Sequence, residues 1–522
     1  MSRLQIHVAA FVAVLLLPFA LRAWVGRGAS RVRASSGAPA AELRIITPHN
    51  QDIRRAFELA FSDWHQQHYG QAVAITYLSP GGTSDIVRYL DDVYGAYRDA
   101  AGALLPEREV NVGIDVVWGG GDYTFERDFK PILKPLSLPR GLLDEAFPEP
   151  DLAGVPLFDP DARDWRRAPR WVGVVLSSFG IIYAPDVYQL LGLPPPETWS
   201  DLARPELAGL LALADPTRSG SAAVVYMMVL QRAMAAAERR WLTHHPSAAG
   251  SNLEADPSYR AALAAGWKQG MRVLVLMAAN ARYFTDSASR PCADVGDAES
   301  AAGIAIDFYA RVYGEEIGDH RIRFRAPRGA TAITPDPVGL LYGTLGERER
   351  VANRFVEFLL SREGQRLWHL DAGQSPYLPR SLRRMPVRRD LYTDRRGVAP
   401  GDNPFELAQG FNMRQRWMRQ LGRLLPVWGA AWMDAKNQLD EAYRAILELP
   451  DPARRERLTF ELSDIPIEYH EVTAPAPAAL AAEPGVDERL AAARERLDLG
   501  ARFRAHYGRV LEQARRDARG AE

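Results

Sequence analysis

A single cysteine, Cys292, stands in 522 residues, which excludes a disulfide framework and any multi-cysteine metal site. It lies in a Pro-Cys-Ala segment with no histidine close in sequence, so a structural thiol is expected. Charge of either sign is not in excess. The 64 Lys+Arg and 65 Asp+Glu leave a net charge of -1, which gives no argument for bulk nucleic-acid binding. The basic residues are mostly arginine, read here as compositional bias and not as a phosphate patch. H-E-x-x-H, G-x-S-x-G and Walker A patterns are missing, so the sequence offers no ready zinc-protease, hydrolase or P-loop site. What is present is an ordinary globular composition, 47% hydrophobic, long enough for two to four domains at ~150 residues each and for large cores without covalent staples.

The amino terminus reads as an export signal. Arg3 precedes an apolar run from Val8 to Leu21, broken by Pro18 and closed by Arg22. That run is short for a span of ~20 residues and suits the h-region of a signal peptide. Small residues follow from Ala34 to Ala41, with an A-x-A pattern at Ala38-Pro39-Ala40. Residues 1–41 are therefore a cleaved signal or a retained membrane anchor, set apart from the fold.

From Leu43 the chain alternates strand and helix patterns, which predicts an α/β protein with a mainly parallel sheet. Leu43–Thr47, Val73–Leu78 and Ile114–Gly121 read as strands, each followed by a turn or glycine-rich loop and a helix. Trp171–Ala184 gives two β-rich halves joined near Ser178, and Leu210–Pro216 another buried strand. Ser219-Gly220-Ser221 then opens a long apolar helix. Ala301–Ala310 reads as a strand and Ala330–Gly343 as a return strand interrupted by Pro335 and Pro337. Helical spacing dominates afterwards, over 347–368, 414–425 and 428–447. A Pro/Ala linker (474–484) leads to a last helix, 487–516, polar nearly all round and expected to be a solvated or partner-seeking tail.

Three loops after strand ends could meet a ligand, as they do in open α/β sheets. Pro80-Gly81-Gly82-Thr83-Ser84 combines close backbone approach, free amides at a helix start and two hydroxyls. Ser219-Gly220-Ser221 repeats the device, and Gly119, Gly120 and Gly121 give a third close-approach surface. Plain helix capping is the alternative for each loop taken alone. His49 and Asn50 occupy the first loop after a strand, where capping of the next helix is an equal reading. Asp307, in an apolar stretch, needs a partner, a ligand or solvent.

The succession LRIITPHN, PGGTSDIVRYL, IDVVWGGG, WVGVVLSSFGIIY, LADPTRSGS, GDAESAAGIAIDFYA and NRFVEFLLSREGQ resembles bacterial extracellular solute-binding proteins of ABC importers, in the group of ferric-ion and small-anion binders. The resemblance spans 43–445. It implies a two-lobed type II binding-protein fold: lobe 1 from 43–175 and 325–445, lobe 2 from 176–324, and 446–522 as a linker and helical extension. Ferric-binding relatives use a first-loop His, a Glu after the third strand and an adjacent Tyr pair. Here His49 and Tyr309 remain, Phe308 replaces one Tyr, and the carboxylate position falls in Gly119–Gly121. If iron is bound, His49 and Tyr309 are its candidate ligands. The hydroxyl- and glycine-rich loops suit a phosphonate, phosphate ester or carboxylate better. A cationic ligand would call on Trp118, Asp122, Tyr123, Asp286 and Tyr309.

The expectation is a non-enzymatic, monomeric periplasmic protein that closes on a small solute and delivers it to an inner-membrane permease, with no cofactor. Its candidate contacts are His49, Asn50, Gly82, Thr83, Ser84, Gly119, Gly120, Ser178, Ser219, Ser221, Asp307 and Tyr309. The alternatives are a periplasmic sensor reporting to a membrane receptor and an enzyme on the same fold; a purely structural role leaves the three loops without a purpose.

Overall fold

The computed structural model describes residues 41–152, 155–161, 168–246, 253–318, 320–327, 329–392, 403–407, 411, 413–473 and 488–520. The expected signal or anchor and the linker 474–484 lie outside them, apart from Ala41, which opens the first strand.

Two sheets form two lobes. The first has strands β1 (Ala41–Ile46), β2 (Val73–Leu78), β3 (Val116–Trp118), β4 (Leu133–Lys134), β5 (Trp171–Ser177) and β11 (Thr334–Leu341). Its order is β2-β1-β3-β11-β4, with β5 also paired to β11. The second has β6 (Phe179–Tyr183), β7 (Leu211–Ala214), β8 (Ala281–Thr285), β9 (Ala302–Ile306) and β10 (Arg323–Arg325), in the order β8-β7-β9-β6-β10. β1, β2 and β3 run parallel, as do β7, β8 and β9, and each set is extended by antiparallel strands that enter from the other lobe.

The chain crosses between lobes twice. The first crossing is Ser178, between β5 and β6; the second lies between β10 and β11. Strands that pass from one buried sheet to another must be apolar throughout, and β5 and β6 are buried at every residue.

Helices pack on both sheets. On lobe 1, α1 (Gln51–Tyr69) and α6 (Gly346–Leu360) bury Phe57, Phe61, Phe355 and Phe358 against Trp118 and Trp368. On lobe 2, α3 (Gly220–His244) and α4 (Pro257–Asn280) are a closely packed pair. Gly266 and Gly270 permit this, since a Cβ at either would lie within 2.9 Å of α3. α3 is long and apolar enough to cross a membrane, but two thirds of its apolar window (67%) is buried, as in a core helix.

Three expectations need correction. Asp307 does not lie in a strand: β9 stops at Ile306 and Asp307 is the first residue of α5 (Asp307–Ile317). Residues 411–445 were assigned to lobe 1, yet Trp417, Leu424, Trp428, Trp432 and Leu439 belong to the core of lobe 2, packed on α3 and α4. These residues lie on α7 (Leu421–Trp428), a π-helical stretch Gly429–Asp434 and α8 (Lys436–Leu447), or just before them. Last, α10 (Glu488–Arg519) is no free tail. Leu499, Phe503, Tyr507, Val510 and Ala514 line one face and join the same core. The narrow stripe is easily missed among so many charges, because its spacing of four, four, three and four occupies one side only.

Candidate functional site

The three glycine loops converge. A Cβ at Gly120 would lie 2.9 Å from Thr83, one at Gly82 3.3 Å from the Arg218 carbonyl oxygen, and one at Gly220 3.6 Å from Thr83. Lobe 1 loop 80–84 therefore touches lobe 2 loop 218–220, and the lobes are closed on each other. Gly119 and Gly120 have φ of +87° and +118°, a region that favours glycine, and a Cβ at Gly119 would strike the His49 ring at 2.9 Å.

Behind these loops lies a buried polar cluster centred on Arg384, a residue that sequence reading passed over. Its backbone amide donates to the Trp368 carbonyl at 2.9 Å. Its guanidinium, 0% exposed, is stacked 4.4 Å over Phe308 and 5.5 Å from Trp368. Nη2 bonds the Ser177 hydroxyl and the Asp336 carboxylate. Nε and Nη1 are buried and have no partner among the described residues. Such donors cost free energy unless something accepts from them.

Asp336 was also missed, although the two prolines beside it were noted. Pro335 and Pro337 mark a register shift in β11 against β5, and this aims the carboxylate at the amides of Gly120 and Gly121, both 3.2 Å away. Burial pushes the Asp336 carboxyl up, but Arg384, His49 and the Gly120 amide outweigh it and hold the carboxyl below the usual range.

His49 is 6% exposed and lies edge-on to Trp118 at 4.5 Å between ring centres. Burial first, and then the Arg384 charge, lowers its pKa to about 3, so the imidazole is neutral. Its Nε2 has no partner among the described residues. Tyr309 packs its ring on Phe308 at 4.1 Å, and burial raises its phenol to about 12.

The remaining predicted residues divide. Thr83, Ser84 and Ser221 are half-buried at the meeting of the loops. Asn50 is an exposed cap whose side chain accepts from the Ile53 amide at 3.0 Å, and Ser219 caps α3 by accepting from Ala222 at 3.3 Å. Ser178 and Asp307 satisfy each other: Oγ and the amide of Ser178 donate to Oδ2 of Asp307 at 3.0 and 3.1 Å. These two fasten the first crossing to α5. Cys292 is fully buried, and burial raises its thiol to about 12, so it is a core residue.

Asp122, next to the Gly121 amide that Asp336 holds, has its pKa raised to about 7 by burial, against local amides, with Glu126 and Asp336 adding to the rise. Between about pH 4 and 7 the folded chain keeps a proton that the unfolded chain has lost. This residue's contribution to stability therefore falls as pH rises through that window. Asp122→Asn is expected to flatten the slope and gain about 1–2 kcal/mol more over wild type at pH 8 than at pH 5, after discounting for solvent screening. Urea unfolding at the two pH values checks this.

Among the described residues, one acidic cluster has metal-like spacing, Glu126, Asp159 and Asp161. The Lys130 ammonium already occupies it, 2.7–3.0 Å from all three.

Residues 154–389 match the family model for bacterial extracellular solute-binding proteins. Over 211 residues the chain is 24% identical to the phosphoglycerate transport regulatory protein PgtC of Salmonella typhimurium, and equally to that of Salmonella typhi. The match covers 40% of this chain, and the chain spans only 44% of the length of those relatives. The solved structure of the periplasmic binding protein P5PA superposes with a TM-score of 0.50 at 15% identity, over 74% of this chain and 98% of that one. The chain thus has the two-lobed fold of periplasmic binding proteins, and its residues 154–389 are similar to bacterial extracellular solute-binding proteins.

Proposed function

We propose that this chain is the periplasmic solute-binding component of an ABC importer, closing its lobes on a small solute that bears a phosphate ester or carboxylate. The observation that carries the reading is Arg384, buried with two nitrogens, Nε and Nη1, unpartnered among the described residues, beside a neutral His49. A buried guanidinium fork matches an oxyanion. The same charge repels a ferric ion, and Phe308 supplies no phenolate, so iron fits poorly. The name of the curated relative concerns phosphoglycerate, which carries both anionic groups. Binding would favour the closed arrangement, and the closed form would dock on a permease. No step of covalent chemistry is assigned to the site.

Thermal unfolding against 3-phosphoglycerate, fructose 6-phosphate, phosphonates, ferric citrate, spermidine and thiamine tests this. A solute at ~100 times its dissociation constant adds about 2.7 kcal/mol and raises the midpoint visibly. The expected shift comes with the phosphate esters. A shift with ferric citrate or spermidine alone overturns the oxyanion assignment.

A second reading, a sensor that reports to a membrane receptor, is favoured by one observation: the same relative is named as a transport regulator. Uptake of the identified solute into cells lacking this chain separates the two, since loss of uptake at full permease expression supports delivery.

A further inference from the structure

The short segment that carries Arg384 also carries two arginines that reach the other lobe. Arg383 pairs with Glu315 of α5 in lobe 2 and with Asp371 of lobe 1, the latter at 2.7 Å. Arg380 pairs with Glu316 of α5 at 3.1 Å and lies 3.8 Å from Asp52 of lobe 1. Arg383 has a φ of +52°, an uncommon conformation for a side-chain-bearing residue and one held by its surroundings. α5 itself runs from the Arg384 cluster, where Phe308 packs, out to these two glutamates. The pairs coexist with the contact of Gly82 and Thr83 on loop 218–220, so they belong to the closed arrangement.

Two carboxylates in the last turn of a helix oppose its dipole, and α5 has no basic residue there. Their placement is unfavourable within the helix and is compensated from the opposite lobe. The geometry points to Arg380 and Arg383 as positioning residues that couple closure of the lobes to the placement of Arg384. When α5 swings in, Glu315 and Glu316 pull on the segment from one end while Phe308 meets the guanidinium at the other. The inference rests on the proposed cleft-binding function, and it adds a determinant of affinity outside the cleft.

The test replaces the glutamates in a graded series: Glu315→Asp/Glu316→Asp, Glu315→Gln/Glu316→Gln and Glu315→Lys/Glu316→Lys. Small-angle scattering of the ligand-free full chain at low ionic strength reads lobe opening directly. The expected radius of gyration rises from Asp to Gln to Lys, and added salt moves wild type the same way. A purely helical effect runs in the opposite sense, because Gln and Lys suit a helix end better and would raise the unfolding midpoint without opening the lobes. With 3-phosphoglycerate as the probe, the Lys pair is expected to weaken binding about tenfold, mainly through faster dissociation. Scattering that is the same across the series and insensitive to salt overturns the coupling. If 3-phosphoglycerate leaves wild type unbound while the scattering series holds, 3-phosphoglycerate is excluded as the solute and the part these pairs play in lobe closure stands.

Discussion

Arg384→Met is expected to abolish tight binding of the anionic solute, with a loss of about 100-fold or more, and to destabilise the fold at the same time. The two effects have different origins. Binding loses charge-assisted donors in a buried site, where such contacts are worth about 2–5 kcal/mol. Stability falls because Asp336 is left without its cation; removing one partner of a buried pair costs about 3–5 kcal/mol, and somewhat less here because two amides still donate to the carboxylate. Methionine keeps the apolar body between Phe308 and Trp368, so packing loss is small. The double variant Arg384→Met/Asp336→Asn removes both charges and retains an oxygen for the glycine amides. It should recover most of the stability and none of the binding. Calorimetric titration beside urea unfolding reads both. Recovery of affinity in the double variant would mean that Arg384 acts on the fold alone.

Phe503→Ala should cost about 3–4 kcal/mol, and Tyr507→Ala a similar amount. Both side chains are 0% exposed, and they press against α8, α9 (Pro452–Ser463) and the π-helical stretch. A peripheral tail would predict changes within ±0.5 kcal/mol. The ion pairs that flank the stripe, Arg496 with Asp434 at 2.7 Å and Arg502 with Glu471 at 3.0 Å, are exposed and add little. Urea unfolding followed by tryptophan fluorescence is the check, since Trp417, Trp428 and Trp432 all sit in the affected core.

The lobes were legible in the sequence because strands buried on both faces leave continuous apolar runs, and because glycine and serine recur where strands end. Val73–Leu78 coincides with β2, and the joint at Ser178 falls between β5 and β6. The loops, too, were found by their composition. What escaped was the chemistry between them. Arg384 stands among Arg383, Arg388 and Arg389, and an arginine-rich stretch carries no mark of which guanidinium turns inward. Asp336 is aimed by a register shift, a property of pairing with β5 that appears only when two distant strands meet. Ser178 and Asp307 were expected to meet a ligand; both are buried, and their polar groups bond each other. The docking of 411–449 on lobe 2 was hidden for a similar reason: a helical pattern states that a face is apolar and says nothing about which lobe will cover it.

The route of the chain bears on how the protein is made. Lobe 2 takes its sheet from residues 179–325, but its core is closed by side chains as far along as Ala514. Lobe 1 cannot finish its sheet before β11 arrives at Thr334–Leu341. Neither lobe can therefore mature on a half-synthesised chain, and contacts of such long sequence separation slow folding. Residues 488–519 act as a keystone: until they emerge from the ribosome, the apolar faces of α7, the π-helical stretch, α8 and α9 that they cover stay open, and the nascent chain carries that surface as an aggregation hazard.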